Sequence, residues 1–279
     1  MSLTASNNSA FSAQTSTFNY ISDFFQNHLH FTPTAAQIET FERDIALVSP
    51  KLLAASLHEL SATKKLVGQA PDKQRALIFD VYNRKVAEHA SLFPILHTFE
   101  VAFRSTTAVT LEDHYGIMDW WMPVRRWVVD EGRPIQSLQF IGNQSSIAND
   151  TLDTIHQVTK KIAENTAISS LTDGFMFVEC CTMTQMRDLI TNHWPVFSMK
   201  FPTSLTKDAF QKKFDAVNRA RNDIYHHKSV ARTTKVVEVA EELLDYLDCS
   251  LSFIYGKISK AKVSAPPFKR KMESRHRTH

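Results

Sequence analysis

Apolar residues in this chain recur at three- and four-residue steps, the repeat of one face of a helix, rather than in the strict alternation of a half-buried strand. Phe18, Ile21, Phe25 and Leu29 outline a first amphipathic segment, and Leu92, Leu96, Phe99 and Phe103 a later one. Thr34 followed by Gln37 has the form of a capping box opening a helix toward Leu47, and Pro71 stands where a first-turn proline starts another. Between Trp121 and Asn149 the pattern loosens around Gly132, Pro134 and Gly142, which predicts the principal long connection. Helices resume near Asn149. Leu152, Ile155 and Ile162 outline one, Phe175 to Ile190 another and Phe210 to Tyr225 a third. A last helix is expected from Thr234 to Tyr255, where Val237, Ala240, Leu244, Leu247, Leu251 and Ile254 form a packing seam. Pro266 and Pro267 end any continuation.

The expected fold class is therefore all-α. Composition agrees: 43% hydrophobic residues over 279 positions bury a sizeable core, and the six glycines include no spacing suited to a phosphate-cradling loop or dinucleotide turn. Residues 1–16 read as a flexible leader without a secretory signal, residues 17–256 as one helical domain and residues 257–279 as a basic tail. No stretch is long and apolar enough to cross a bilayer, so a membrane partner is not expected. Three cysteines, Cys180, Cys181 and Cys249, lie in apolar helical patterns and look like reduced core thiols, which fits a cytoplasmic protein. The formal charge of +3 is unevenly spread, because the eight Lys or Arg residues from Lys257 onward face only Glu273. Lys269, Arg270 and Lys271 are thus candidate RNA contacts, with a merely solvated terminus as the alternative.

The chemistry-bearing segment is Arg221-Asn222-Asp223-Ile224-Tyr225-His226. Arg221 falls on the apolar face marked by Phe214, Val217 and Ile224, where an unpaired charge would cost several kcal/mol. His226 would point about 140° away from Arg221 on an uninterrupted helix, so the two converge only if the helix ends or bends. The His226-His227-Lys228-Ser229 run has the look of such an exit. As chemistry, the set suits phosphodiester cleavage by a neighbouring 2′-hydroxyl. Imidazole shuttles the proton, guanidinium meets the growing phosphate charge, and Asn222 orients phosphate or ribose. No metal or other cofactor is needed, and the sequence holds no CxxC pair or HExxH motif. A structural account stays open, with Arg221 paired to Glu100 or Asp223 and His226 as a capping residue. The register is open too, since Arg219 to His226 and Arg221 to His227 are near-equivalent pairings.

Landmarks around the pair run in order from about residue 80 to 230. They are Val81-Tyr82-Asn83, His97 to Arg104, Tyr115-Gly116, Asp119-Trp120-Trp121, Asp173 to Val178, His193-Trp194, Phe201-Pro202 and Arg221-Asn222 to His226-His227. This set resembles the bacterial abortive-infection (Abi-like) family of the HEPN superfamily. The resemblance implies a HEPN-like helical bundle with additional N-terminal helices and a disordered basic C-terminal tail. It also implies a metal-independent endoribonuclease of phage defence or of a toxin system. On it, Arg221, Asn222 and His226 would be catalytic, and Glu100, Arg104 and His227 supporting. A homodimer would supply a composite site with two histidines, and an antitoxin or activating partner would be of unknown kind. Departures are Ser105 after Arg104, Met176 in the short aromatic motif and Lys228 where a nucleotidylated tyrosine stands in some toxin pairs. Rival readings are a non-catalytic helical module binding RNA or a nucleotide, and an enzyme using Cys180 or Cys181, which packing beside Phe175, Phe177 and Met183 explains better.

Overall fold

The computed structural model describes residues 34–45, 47–145, 147–165, 171–228, 230, 232–249 and 251. The amphipathic segment from Phe18 to Leu29, the leader and the basic tail, with Lys269, Arg270 and Lys271, lie outside them. The described chain is mostly helical, with a single two-stranded hairpin among the described residues. It divides into two compact units, one holding residues 34–91 and 223–230, the other 92–222 and most of the remainder.

In the first unit, α1 (Ala35–Ile45) opens on the reciprocal cap that its sequence announces. The Thr34 amide donates to Gln37 Oε1 at 2.9 Å and the Gln37 amide to Thr34 Oγ1 at 3.4 Å. Helix α2 (Pro50–Ala62) starts with proline in its first turn behind an N-cap serine, Ser49. Leu52, Leu53, Leu57, Leu60 and Leu66 pack on Ile78 and Tyr82 of α3 (Pro71–Tyr115). The Tyr82 hydroxyl accepts from the Ser49 amide at 3.0 Å, so the core tyrosine also seats the start of α2. Arg75 of α3 donates to Asp44 at 2.7 Å and joins α1 to the same unit.

Helix α3 is 45 residues long and passes through Pro94, so the segments starting at Pro71 and around Leu92 to Phe103 are one helix and not two. Proline has no N–H for the Ala90 carbonyl. The division between the units falls close by, between Ser91 and Leu92.

The second unit is built on aromatic packing. Phe99 and Phe103 of α3 meet Phe214 of α9 (Lys207–Tyr225) with ring centroids 5.2 Å apart in each case. Trp120 and Trp121 pack on Phe177, at 5.0 and 5.4 Å, and Trp194 stacks on Phe201 at 5.7 Å. These landmark aromatics are buried or half-buried, so core packing alone accounts for their places in the sequence. The connection after Trp121 holds α4 (Met122–Arg125), a π-helical turn (Arg126–Asp130), a 3-10 turn (Ile135–Ser137) and the hairpin β1 (Phe140–Ile141) with β2 (Gln144–Ser145). Gly142 turns that hairpin at φ +53°, and a Cβ there would lie 1.9 Å from the Tyr115 carbonyl oxygen.

Helix α5 (Asn149–Asn165) begins where helices were expected to resume. The helix expected from Phe175 to Ile190 is two, α6 (Gly174–Cys180) and α7 (Met183–Asn192). Thr182 breaks it, adopting extended backbone and forming a full capping box with Gln185. Helix α8 (Trp194–Phe197) and a 3-10 turn (Ser198–Lys200) lead into α9. Helix α10 (Thr233–Asp245) is shorter than the expected Thr234 to Tyr255, because Asp248 takes left-handed backbone at φ +56°. The Cys249 amide then donates back to the Leu244 carbonyl and that of Asp248 to Asp245, which closes the helix end.

Buried polar groups in this unit are matched with care at His193, which is 6% exposed. Its Nδ1–H donates to the Leu189 carbonyl at 2.7 Å, so Nε2 accepts from the Tyr115 hydroxyl at 2.6 Å. Burial holds this imidazole at about 4, against an ordinary 6.5, with the Leu189 carbonyl pulling upward and His114 pushing down. The unfolded chain therefore binds a proton between pH 6.5 and 4 that the folded chain refuses. The neutral imidazole's contribution is complete above pH 6.5 and is lost as pH falls toward 4, a difference on the order of 3 kcal/mol. Urea unfolding at pH 7.5 and pH 4.5 checks this: the wild type loses more stability on acidification than a Tyr115→Phe/His193→Phe double variant, by about 2 kcal/mol.

Candidate functional site

Thr206 opens α9 by accepting the Ala209 amide at 3.2 Å, and Phe210, Phe214 and Val217 form the buried stripe that fixes the helix in the second unit. Arg221 continues that stripe one turn further on. Its charge is met by Glu100 of α3, with Nε donating to Oε2 at 3.2 Å and Nη2 lying 3.5 Å from Oε1. Of the open partners for Arg221, Glu100 is the one the structure supplies. Nη1 donates to the Asn222 side-chain oxygen at 3.2 Å, so the guanidinium also orients its exposed neighbour.

Glu100 serves a second arginine. Arg104, one turn along α3, donates to Oε1 through Nε at 3.1 Å and Nη2 at 2.8 Å. Its Nη1 reaches the end of α6, donating to the carbonyls of Val178, Glu179 at 3.3 Å and Cys181 at 2.9 Å. The Val178 carbonyl also accepts from the Cys181 amide at 3.1 Å, and a cation at this helix C-terminus is favoured by the helix dipole. Glu100 is 13% exposed at its side chain, Arg104 18% and Arg221 27%, so the carboxylate is the covered centre of the group. Burial pushes its pKa up, but the Arg104 hydrogen bond and both guanidinium charges outweigh that and leave it below the usual glutamate value.

His226 and His227 belong to the first unit. Helix α9 ends at Tyr225 and His226 is its exposed C-cap. His227 is left-handed at φ +55°, its amide donating to the Ile224 carbonyl at 3.0 Å and that of Lys228 to Asp223 at 2.7 Å. That pair of bonds is the usual closure of a helix end, here made without glycine. His89 of α3 lies against the Lys228 backbone in the same unit, a neighbour that no sequence spacing announces. Its Nε2 is enclosed without a hydrogen-bond partner among the described residues. Burial pushes its pKa down, the Lys228 backbone offsets part of this, and the nearby His227 lowers it further.

The structure thus brings Glu100, Arg104, Arg221 and Asn222 together in one unit and sets His226 and His227 at the helix exit in the other. Among the described residues no cluster of three or more His, Cys, Asp or Glu is placed to hold a metal ion. No described helix is long and apolar enough to cross a membrane. Burial, and then Glu179, hold the Cys180 thiol above its ordinary pKa despite Arg104, the opposite of what a nucleophilic thiolate needs. Cys181 is buried, with its thiol on the Phe177 carbonyl. The contacts of Arg104 with α6 were missed by sequence reasoning, since the partners are backbone atoms more than seventy positions away.

The chain matches no known family model, no curated protein and no solved structure.

Replacing Glu100 by Gln keeps the shape and removes the charge shared by two arginines. We expect a loss of about 2 kcal/mol at pH 7, the scale of hydrogen bonds to charged groups. Because the folded-state pKa of Glu100 is lowered, its contribution is present above the ordinary glutamate value of 4.5 and is lost as pH falls through the depressed one. The gap between Glu100→Gln and wild type in urea unfolding should narrow from pH 7 to pH 3.

Proposed function

We propose that this protein acts on RNA as a metal-independent endoribonuclease, with Arg221, Asn222 and His226 as the reacting set. The observation that carries the reading is the double anchoring of Arg221. Glu100 holds one edge of its guanidinium while Nη1 holds Asn222, so a partly solvent-reached cation and an exposed amide are fixed side by side. Fixed donors favour a transition state because they need no reorganisation as charge builds. His226, five positions on and exposed at the helix exit, brings an imidazole, the side-chain type most often used for proton transfer.

In the proposed reaction the 2′-hydroxyl oxygen attacks the adjacent phosphorus and gives its proton to His226. The bond from phosphorus to the 5′-oxygen breaks, and a second imidazole, from another copy of the chain, protonates the leaving oxygen. The products are a 2′,3′-cyclic phosphate and a free 5′-hydroxyl. Two copies would supply both the acid and the base, which is the reason to propose a homodimer. Lys269, Arg270 and Lys271 in the basic tail would add phosphate contacts. Damage to RNA during phage infection is the setting that the sequence resemblance suggests.

A second reading rests on the same group: because Glu100 already balances Arg221, the protein would bind RNA or a nucleotide without cleaving it. Incubating purified protein with RNA in EDTA separates the two. The nuclease reading expects cyclic-phosphate ends, and His226→Ala should lower the rate between a hundredfold and ten-thousandfold, about the range for a lost general acid or base, with folding intact. Equal rates for the two proteins would remove His226 from the site. Binding without cleavage by either would favour the sensor.

A further inference from the structure

At about 100° per residue, Arg219 and Lys212 lie within 20° of each other on α9, directly opposite the stripe of Phe210, Phe214 and Val217. Both are exposed, and neither makes an ion pair or hydrogen bond with a described residue. Asp208 stands four positions before Lys212 and Asp223 four after Arg219, neither side chain ion-paired with a described residue. The carboxylate four positions before Arg219 is Asp215. It is engaged instead by Arg187, whose Nη1 donates to it at 2.7 Å. Ala216, the exposed residue between the two cations, is too small to stand in the way of a strand. Asn222 is exposed one turn beyond Arg219. Because its oxygen is taken by Arg221, its N–H donors are left without a partner among the described residues.

We infer that the outward side of α9, carrying Lys212, Arg219 and the Asn222 amide, is a track for the phosphates of a single RNA strand. The inference rests on the proposal that RNA is the substrate, and it identifies where the strand runs. The two arginines of the helix then divide the work by direction. Arg221 faces inward and is fixed by Glu100, whereas Arg219 faces solvent with its charge uncommitted and meets a phosphate at little desolvation cost. Lys212 stands about 10 Å further along the axis, at 1.5 Å per residue, which is far enough to meet a different phosphate.

The test is equilibrium binding of a mixed-sequence single-stranded RNA to the full chain across a range of salt concentrations, without divalent metal. Arg219→Gln should weaken binding roughly tenfold and reduce the slope of log affinity against log salt by about one, and adding Lys212→Gln should remove about one more. Arg126→Gln, which removes an exposed arginine of the π-helical turn in the same unit, is the charge-matched control and should change both much less. The inference is overturned if Arg219→Gln binds like the wild type, or if the control loses as much. If the wild type binds no RNA, the substrate proposal falls and this track with it. If it binds RNA and only Arg219→Gln is silent, the track alone is wrong.

Discussion

A single carboxylate organises the chemistry-bearing part of this molecule. Glu100 is the most covered member of a group whose other charges are Arg104 and Arg221, and one anion between two cations is only stable there because each oxygen is hydrogen-bonded. Through Arg104 it reaches the end of α6, and through Arg221 it reaches Asn222. Two segments far from it in sequence, the end of α6 and the end of α9, are thereby tied to one side chain of α3. Without that carboxylate, Arg221 would be a cation on a packing stripe with phenylalanines below it, a position that water alone does not rescue.

Around this polar centre the packing is aromatic. Phe99 and Phe103, which flank Glu100 on α3, meet Phe214 of α9, so the helices bearing the carboxylate and Arg221 are locked to each other by rings of fixed shape. The neutral Tyr115 and His193 pair adds a polar contact that resolves its own donors and acceptors. A fixed scaffold matters for any site that has to present donors in one geometry.

Local signals in the sequence translated well where a few neighbouring residues decide the outcome. Thr34 with Gln37 and the first-turn Pro71 mark helix starts that the structure reproduces, because a cap is closed within four positions. Thr182 and Gln185 carry the same signal, but inside an apolar run whose periodicity overrode it, so two helices read as one. At Pro94 the opposite holds, because a local breaker is tolerated inside the continuous helix α3. At the site, the Glu100 and Arg104 pair is legible at four-residue spacing, whereas the Arg221 contact with Glu100 spans 121 positions and stood only as one alternative. The register between Arg219 and Arg221 was open in the sequence. Burial separates them, one inward and one outward.

Among the described residues, three helix C-termini, at Lys64, His227 and Asp248, place a side-chain-bearing residue in left-handed backbone where glycine is the usual occupant. Each carries a steric penalty of about 1 kcal/mol that the surrounding hydrogen bonds offset. Glycine at Lys64 or Asp248 would relieve that backbone without touching the core, and such residues are a natural starting point for a hardier version of the protein.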